Sequence, residues 1–368
     1  MSKSEFQVAV IRGDGIGIDV TNATLAVLEA VQKRVGGYAL SYRDIAAGAG
    51  HFRETGSDIE VGGEEAAGAA DAMFLGAIGL PNTRYVDGTE ISPHLRLRDR
   101  YQLYAGIRPV RAYPNAPQRL QDPRAANIDM VIVRESTEGL FYTAAVHNRC
   151  PVENDDEVQD VMRITRPTTE RLHHAAFRLA RKRQARGKKG KVTCVDKANV
   201  FKSMAFFRKI FNEVAPQYED VETGYNYVDA QALDFVRHPW EFDVLVMENI
   251  FGDILSDLAG GLVGGMGMAA CGEIGESHGL FQGAHGSAPD IMGQNKANPL
   301  AAILSGGLML DYLADKSQTT ALSDAAQIID AAVYAGFAAN TIRPMEFGGD
   351  MSTTAVTAEV IRQIQEQK

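Results

Sequence analysis

Five short apolar runs recur along the chain, and each ends in a polar or glycine-rich loop. Phe6–Ile11 precedes Arg12-Gly13-Asp14-Gly15-Ile16-Gly17, Ala72–Leu75 precedes Gly76-Ala77-Ile78-Gly79, and Ile128–Arg134 precedes Glu135–Gly139. Lys191–Val195 leads into Asp196-Lys197-Ala198-Asn199, and Phe242–Met247 leads into Glu248-Asn249-Ile250-Phe251-Gly252-Asp253-Ile254-Leu255-Ser256-Asp257. Short, continuous apolar runs predict buried strands. Between them lie segments of helical period. Asp19–Arg34 offers Val20, Leu25, Leu28 and Val31 to one face, and Thr168–Gly187 is amphipathic with a strongly basic end. Repeated strand, loop and helix predict an α/β fold with much parallel sheet. Such sheets bind ligands at the carboxyl ends of their strands, and the polar motifs stand there. At 368 residues the chain exceeds one ordinary domain and predicts two lobes.

Composition narrows the function. Hydrophobic content of 45% with 23% charged residues is that of a soluble globular protein. A net charge of −10 argues against nucleic acid as the main partner, although a local arginine cluster can still bind small anions. The basic run Arg178–Lys191 reads as the solvated end of a helix and its turn rather than a phosphate-binding patch. Three widely spaced cysteines, Cys150, Cys194 and Cys271, form no CxxC and fit a reduced cytoplasm better than a disulfide framework. Met1–Glu5 lacks the apolar run of a signal peptide, and no segment has the apolar length of a membrane span.

Asp253 and Asp257 are four residues apart, so a helix begun after Gly252 puts both carboxylates on one face. A hard divalent ion with oxygen ligands is the natural guest between them. Spacing alone favours a plainer reading, a helix face with solvated acids. Two further stretches shift the balance: Val228-Asp229-Ala230 upstream and His285-Gly286-Ser287-Ala288-Pro289-Asp290 downstream. Arg134 ends an apolar strand and is costly to bury without an anionic partner. Taken singly, Asp229 reads equally well as a turn or capping residue, and Lys197 as a surface lysine.

In combination these motifs resemble those of the β-decarboxylating hydroxyacid dehydrogenases, the family of isocitrate, isopropylmalate, homoisocitrate and tartrate/D-malate dehydrogenases. The likeness runs nearly end to end, from Arg12-Gly13-Asp14-Gly15-Ile16-Gly17 to Phe347-Gly348-Gly349-Asp350. It implies an isopropylmalate dehydrogenase-like, two-lobed α/β fold with a mostly parallel sheet crossing both lobes. Residues 1–103 and 264–368 would form a large cofactor-binding lobe, and 104–263 a small lobe carrying the dimer interface and an arm at about 143–162. A homodimer with shared active sites follows. Asp253 and Asp257 of one subunit, with Asp229 of the other, would hold Mg²⁺ or Mn²⁺, and a monovalent cation is a further candidate. Arg98, Arg108 and Arg134 match the substrate clamp, whose guanidinium groups bind carboxylates through paired bonds. Lys197, in Val195-Asp196-Lys197-Ala198-Asn199, matches a catalytic lysine donated across the dimer, with Asp229 beside it in the catalytic set. His285, Gly286, Ser287, Ala288, Asp290, Ile291 and Asn298 match the cofactor elements. The glycines of Gly13-Asp14-Gly15-Ile16-Gly17 do not form a Rossmann GxGxxG. A carboxylate at Asp290 can accept both ribose hydroxyls and repels a 2′-phosphate, which implies NAD rather than NADP.

The chain departs from the family pattern at two positions. Phe141 stands seven residues after Arg134, where relatives carry a tyrosine that protonates the carbon left by CO₂. Tyr142 is the substitute acid only if a bulge re-aims it, since one step along an extended strand reverses the face. Gln282 stands where relatives have a glutamate near the nicotinamide. In the specificity segment Ile91–Leu97, the polar Ser92 and His94 argue against a branched alkyl substituent, with Arg96 facing either site or solvent. The expectation is therefore a metal-dependent NAD dehydrogenase of a (2R)-malate-type hydroxy acid, with β-decarboxylation, nearest the tartrate/D-malate branch. The alternatives are an isopropylmalate or isocitrate dehydrogenase proper, or a catalytically weak regulatory subunit of such an enzyme. Membrane and nucleic acid are excluded as partners.

Overall fold

The structure is a computed structural model and describes residues 3–366. Its strands are β1 (Glu5–Gly13), β2 (Ala39–Asp44), β3 (Ala72–Ala77), β4 (Ala105–Arg111), β5 (Asp129–Glu135), β6 (Val152–Glu153), β7 (Val158–Gln159), β8 (Lys191–Asp196), β9 (Glu222–Tyr227), β10 (Val244–Met247), β11 (Ala270–Ile274) and β12 (Gly279–Gly283). Its helices are α1 (Gly17–Val35), α2 (Ala49–Thr55), α3 (Gly63–Ala69), α4 (Pro93–Arg100), α5 (Arg166–Ala185), α6 (Lys202–Val214), α7 (Val228–Arg237), α8 (Asn249–Leu262), α9 (Leu300–Ser317), α10 (Thr320–Ala338) and α11 (Thr353–Glu366).

Ten strands form one sheet in the order β2-β1-β3-β12-β11-β4-β5-β10-β8-β9. The block β2-β1-β3-β12 is parallel, as is the block β5-β10-β8-β9. Between them β11 and β4 run antiparallel to each other and to their outer neighbours. The α/β class and the mostly parallel sheet agree with the sequence reading. β4 begins just after Leu103 and β11 a few residues after Gly264, so the two positions expected for crossings lead directly into the two central strands. Apolar packing forms four buried clusters. Phe74, Leu310 and Val360 belong to one buried cluster and Leu75, Leu97 and Leu103 to another, both built mainly from the two ends of the chain. Phe177, Phe207 and Val246 belong to a third, and Ile132, Phe235 and Leu255 to a fourth, both drawn from the middle.

α1 buries Val20, Val27, Leu28 and Val31. Leu25 is only partly buried, because Thr24 takes the inward position and satisfies its hydroxyl on the Val20 carbonyl at 2.9 Å. The basic end of α5 is neutralised by neighbouring acids. Arg183 bonds Asp243 and Asp129, Lys182 bonds Asp315, and Lys188 bonds Asp129. These pairs leave a phosphate-binding reading of that run without support. β6 and β7 pair as a small antiparallel ribbon outside the main sheet, in the expected arm. Among the described residues, no helix is long and apolar enough to cross a membrane.

Candidate active site

The carboxyl ends of β3, β5 and β10 open onto a cavity of about 660 Å³. Arg98 reaches it from α4, Arg108 from β4, Arg134 from β5, and Asp253 and Asp257 from α8. One subunit therefore assembles all three arginines expected of a clamp and two of the three expected metal-binding acids.

Each arginine is buried, so each needs an anion nearby. Arg98 and Arg108 share Glu273 of β11, at 3.0 and 3.4 Å from their Nη2 atoms. Glu273 is fully buried. Burial would push its carboxyl up, but Arg98 and Arg108 outweigh that and hold it at about 2. Sequence reading did not single out Glu273. The available signal was an acid inside the otherwise apolar strand Ala270–Ile274, which must find a cation when buried. Arg134 is anchored by Asn249, whose Oδ1 accepts from Nε at 3.0 Å and from Nη2 at 2.6 Å, and it pairs with Asp253.

The start of α8 is built to hold this geometry. Glu248 caps the helix by accepting from Ile250 and Phe251 backbone N–H groups at 3.1 and 3.3 Å. Gly252 lies against Arg134 so closely that a Cβ would sit 2.6 Å from its Cβ and Cγ. The preceding loop folds around Glu135, which accepts from the Thr137 N–H, the Thr137 hydroxyl and the Glu138 N–H, each at 2.7 Å. Gly139 closes that loop at φ 67°, where a Cβ would also strike Glu248.

Burial pushes the Asp257 carboxyl up, and the charge of nearby Asp253 adds to this, while Arg108 and Arg134 oppose it. That chemistry fits a hard cation. Among the described residues, however, no group of three His, Cys, Asp or Glu is placed to hold one. Asp229, the third expected ligand, does not line the cavity. It is exposed on α7 and bonds the Nζ of Lys197 in the loop after β8. That hydrogen bond lowers the Asp229 carboxyl below its ordinary value. Exposed apolar side chains mark the same elements: Val200, Phe201, Leu233 and Val236 near the Lys197–Asp229 pair, and Ile254 on α8.

Of the motifs expected to bind the cofactor, His285 and Gly286 reach the cavity, and the neighbouring Ser287 packs on the Gly13–Gly17 loop. Ile16 N–H donates to the Ser287 carbonyl at 2.7 Å, and Gly15, at φ 56°, leaves no room there for a Cβ. Asp14 accepts from the N–H groups of Ala49, Gly50 and Gly79 at 2.8, 2.7 and 2.9 Å and so ties three loops together. The Ser287 hydroxyl bonds the Gly79 carbonyl. Ala288 sits at φ 33°, a left-handed conformation unusual for a residue with a Cβ. His285 and Gly286 line the cavity, and burial lowers the affinity of the His285 ring for a proton. Its Nε2 is buried without a hydrogen-bond partner. Asp290 is exposed and Ile291 partly buried beside them. Asn298 is buried and bonds Glu346 at 2.9 Å. Gln282 lines the cavity as well.

At the specificity segment, Ser92 and His94 both line the cavity. The Ser92 hydroxyl donates to the Glu90 carbonyl at 3.0 Å. Burial, aided by Arg98, brings His94 down to about 3, so the ring is neutral, and its Nδ1 has no partner. Arg96 turns away from the cavity into a bidentate pair with Asp58 at 2.6 and 2.8 Å. Phe141 faces the cavity, with the Arg134 guanidinium 4.9 Å from its ring centre. Tyr142 requires a correction. The segment Leu140–Thr143 is a single 3₁₀ turn rather than a bulged strand, and Tyr142 does not line the cavity. Its ring instead lies beneath Arg149 and Arg163, at 4.9 and 4.5 Å.

Comparison with known proteins gives one consistent match. Residues 7–364 fit the family model described as isocitrate/isopropylmalate dehydrogenase. The 3-isopropylmalate/3-methylmalate dehydrogenase of Methanocaldococcus jannaschii is 39% identical, covering 98% of this chain and 99% of that one. The 3-isopropylmalate dehydrogenase of Carboxydothermus hydrogenoformans is 36% identical over 97% and 93%. Among solved structures, an isocitrate dehydrogenase from Methylococcus capsulatus superposes with a TM-score of 0.83 at 31% identity, covering 98% and 100%. A β-decarboxylating dehydrogenase from Thermococcus kodakarensis does so with a TM-score of 0.78 at 36% identity, covering 98% and 96%. These likenesses favour the isopropylmalate alternative over the tartrate/D-malate branch expected from Ser92 and His94.

Proposed function

This chain belongs to the isocitrate/isopropylmalate dehydrogenase family, and on that premise we propose that it oxidises and decarboxylates a (2R,3S)-3-alkylmalate, 3-isopropylmalate first among them, with NAD as hydride acceptor. The observation that carries the reading is the single cavity in which Arg98, Arg108 and Arg134 meet Asp253 and Asp257. The curated relatives support the alkyl substituent. Leu95 and Val146, which line the cavity with His94, can receive it. NAD rests on Asp290, whose exposed carboxylate would accept ribose hydroxyls and repel a phosphate.

Three arginines would hold the two substrate carboxylates with the C2 hydroxyl turned toward Asp253 and Asp257. Those two acids are the residues of this subunit that would hold Mg²⁺ or Mn²⁺. When bound, the ion supplies Lewis-acid polarisation of the hydroxyl and an electron sink for decarboxylation. We assign Lys197 and Asp229 to the same centre from a second subunit. Within one subunit they form an acid–base pair away from the cavity, with Asp229 exposed, and the exposed Val200, Phe201, Leu233 and Val236 near them in sequence, with Ile254 on α8, offer apolar area suited to a homodimer. In that arrangement the lysine would take the hydroxyl proton, and Asp229 would join Asp253 and Asp257 in holding the ion. The lobes 1–103 with 264–368 and 104–263 are proposed on the division of the apolar clusters, with the β6–β7 ribbon as an intersubunit arm. Free Cys150, Cys194 and Cys271 support a cytoplasmic location. A regulatory role has less support, because the arginines, both α8 acids and the lysine are all present. A panel of 3-isopropylmalate, 3-methylmalate, D-malate, tartrate and isocitrate, with NAD and Mn²⁺, following NADH and CO₂ separately, tests the reading. Turnover of D-malate or tartrate above that of both alkylmalates overturns it.

A further inference from the structure

We propose that Glu273 sets the charge selectivity of the substrate clamp, tuning it to dicarboxylates and excluding tricarboxylates. This rests on the reading of Arg98, Arg108 and Arg134 as the groups that hold the substrate. Glu273 is fully buried on β11, one of the two strands at the centre of the sheet. It lies 3.0 Å from Arg98 and 3.4 Å from Arg108, and its oxygen Oε1 serves both. Three guanidinium charges therefore surround one internal carboxylate, Arg98 and Arg108 in contact with it and Arg134, paired with Asp253, at longer range. Leaving Asp253, Asp257 and their cation aside, two positive charges remain, which match the two carboxylates of a malate.

The surroundings of a C3 substituent offer no compensating cation. His94 is neutral, held down to about 3 by burial and by Arg98. The Ser92 hydroxyl is committed to the Glu90 carbonyl. Arg96, also on α4, is paired with Asp58 and Glu64 and does not line the cavity. Glu90 does line it. A third carboxylate, as in isocitrate, would enter a place with a neutral ring and an acid, in a cavity where screening is weak. An alkyl group would meet no such penalty.

Glu273 is thus a positioning and selectivity residue rather than a catalytic one, and a purely structural role predicts something different. A structural carboxylate, once removed, loosens Arg98 and Arg108 and weakens every anion in proportion. A charge-setting carboxylate changes the ratio between anions of different charge. The test is titration calorimetry of 3-isopropylmalate and isocitrate with wild type, E273Q and E273D, in the presence of Mg²⁺, alongside KM values for both. Wild type should bind 3-isopropylmalate at least about a hundredfold more tightly than isocitrate, and E273Q should narrow that ratio about tenfold or more. E273D keeps the charge and should keep the ratio, even where absolute affinity falls. An unchanged ratio in E273Q, or a wild type that binds isocitrate as tightly as 3-isopropylmalate, overturns the proposal. If E273Q does not fold, H94K carries the test, since a cation beside the substituent should raise isocitrate binding selectively with Glu273 intact. No selective gain in H94K overturns it as well. The outcomes separate from those of the function itself. Failure to oxidise 3-isopropylmalate sinks the substrate assignment, whereas the binding ratio reports on Glu273 whether or not turnover occurs.

Discussion

Gly252 sits in the second turn of α8, and nothing about its backbone requires glycine, because its φ is not in the left-handed region. Its small size is required by Arg134. An added Cβ would lie 2.6 Å from both Cβ and Cγ of Arg134 and 3.1 Å from its Cα. Ordinary carbon contacts need about 3.5–4.0 Å, so the two elements must part by about 1 Å. Arg134 is 2% exposed. Its near end is the part that clashes, and its far end is fixed by Asn249 and Asp253. Alanine in place of helical glycine gains about 1 kcal/mol, while overpacking of this size costs about 1–3 kcal/mol, so G252A should lose about 1 kcal/mol of stability on balance. Its effect on turnover should be much larger, because displacing a carboxylate-holding group by about 1 Å costs about a hundredfold. Steady-state kcat/KM and denaturant unfolding of G252A measure the two effects. G261A provides the control in the same helix. A Cβ there meets nothing within 4 Å, so it should leave kcat/KM unchanged and gain stability of about 1 kcal/mol. A G252A enzyme with wild-type kcat/KM would refute the claim that α8 packing fixes the clamp.

Removing one acid of the cation pair, as D253N, should weaken Mn²⁺ binding by about tenfold or more in a direct titration and abolish metal-dependent turnover while the fold remains. Full activity of D253N in metal-stripped buffer contradicts the assignment. Replacing Asp290 with Lys and Ile291 with Tyr together should move cofactor preference toward NADP, read as the ratio of kcat/KM for the two cofactors; a wild type that already prefers NADP defeats the reading. K197A and R134A homodimers should each be nearly inactive, and subunit exchange between them should restore part of the activity, because one of the two composite sites would then hold both intact residues. Confirmed heterodimers without recovery would place Lys197 and Arg134 in the same subunit's site.

Five of the ten strands of the main sheet, and the polar loops after them, were legible because they depend on local pattern. Apolar runs such as Ala72–Leu75 and Phe242–Met247 have one stable environment, the middle of a sheet covered by helices, and they occupy it as β3 and β10. The order of the ten strands was less accessible. Pairing of β11 with β4, whose register joins Glu273 to Gly106, links residues far apart in sequence, and no periodicity encodes it. For the same reason Glu273 escaped notice. Its importance lies in the sheet order that brings β11 beside Arg108 of β4 and near Arg98 of α4. A short motif search sees a single acid, and only tertiary pairing shows that it answers two arginines.

The Phe141–Tyr142 pair shows why a resemblance can identify a position without supplying its chemistry. The turn Leu140–Thr143 is fixed from both sides, by Gly139 packed against Glu248 and by the Thr143 hydroxyl bonded to Asp160 at 2.8 Å. With 3₁₀ geometry, neighbouring side chains diverge by about a third of a turn, so Phe141 stays in the cavity and Tyr142 is carried toward Arg149 and Arg163. The cavity therefore keeps an aromatic face against Arg134 but loses a phenolic proton donor from this subunit. Hydride transfer does not require that donor, because it needs only a deprotonated hydroxyl and an acceptor in line. Protonation after CO₂ leaves does require an acid, and within this subunit His94 is held neutral and Phe141 has no proton to give. Water or the Lys197–Asp229 pair of a second subunit is left to supply it. On the proposed dimer, the late proton transfer and the completion of the metal site would both depend on one event, the docking of the Lys197–Asp229 surface against the α8 acids of another copy.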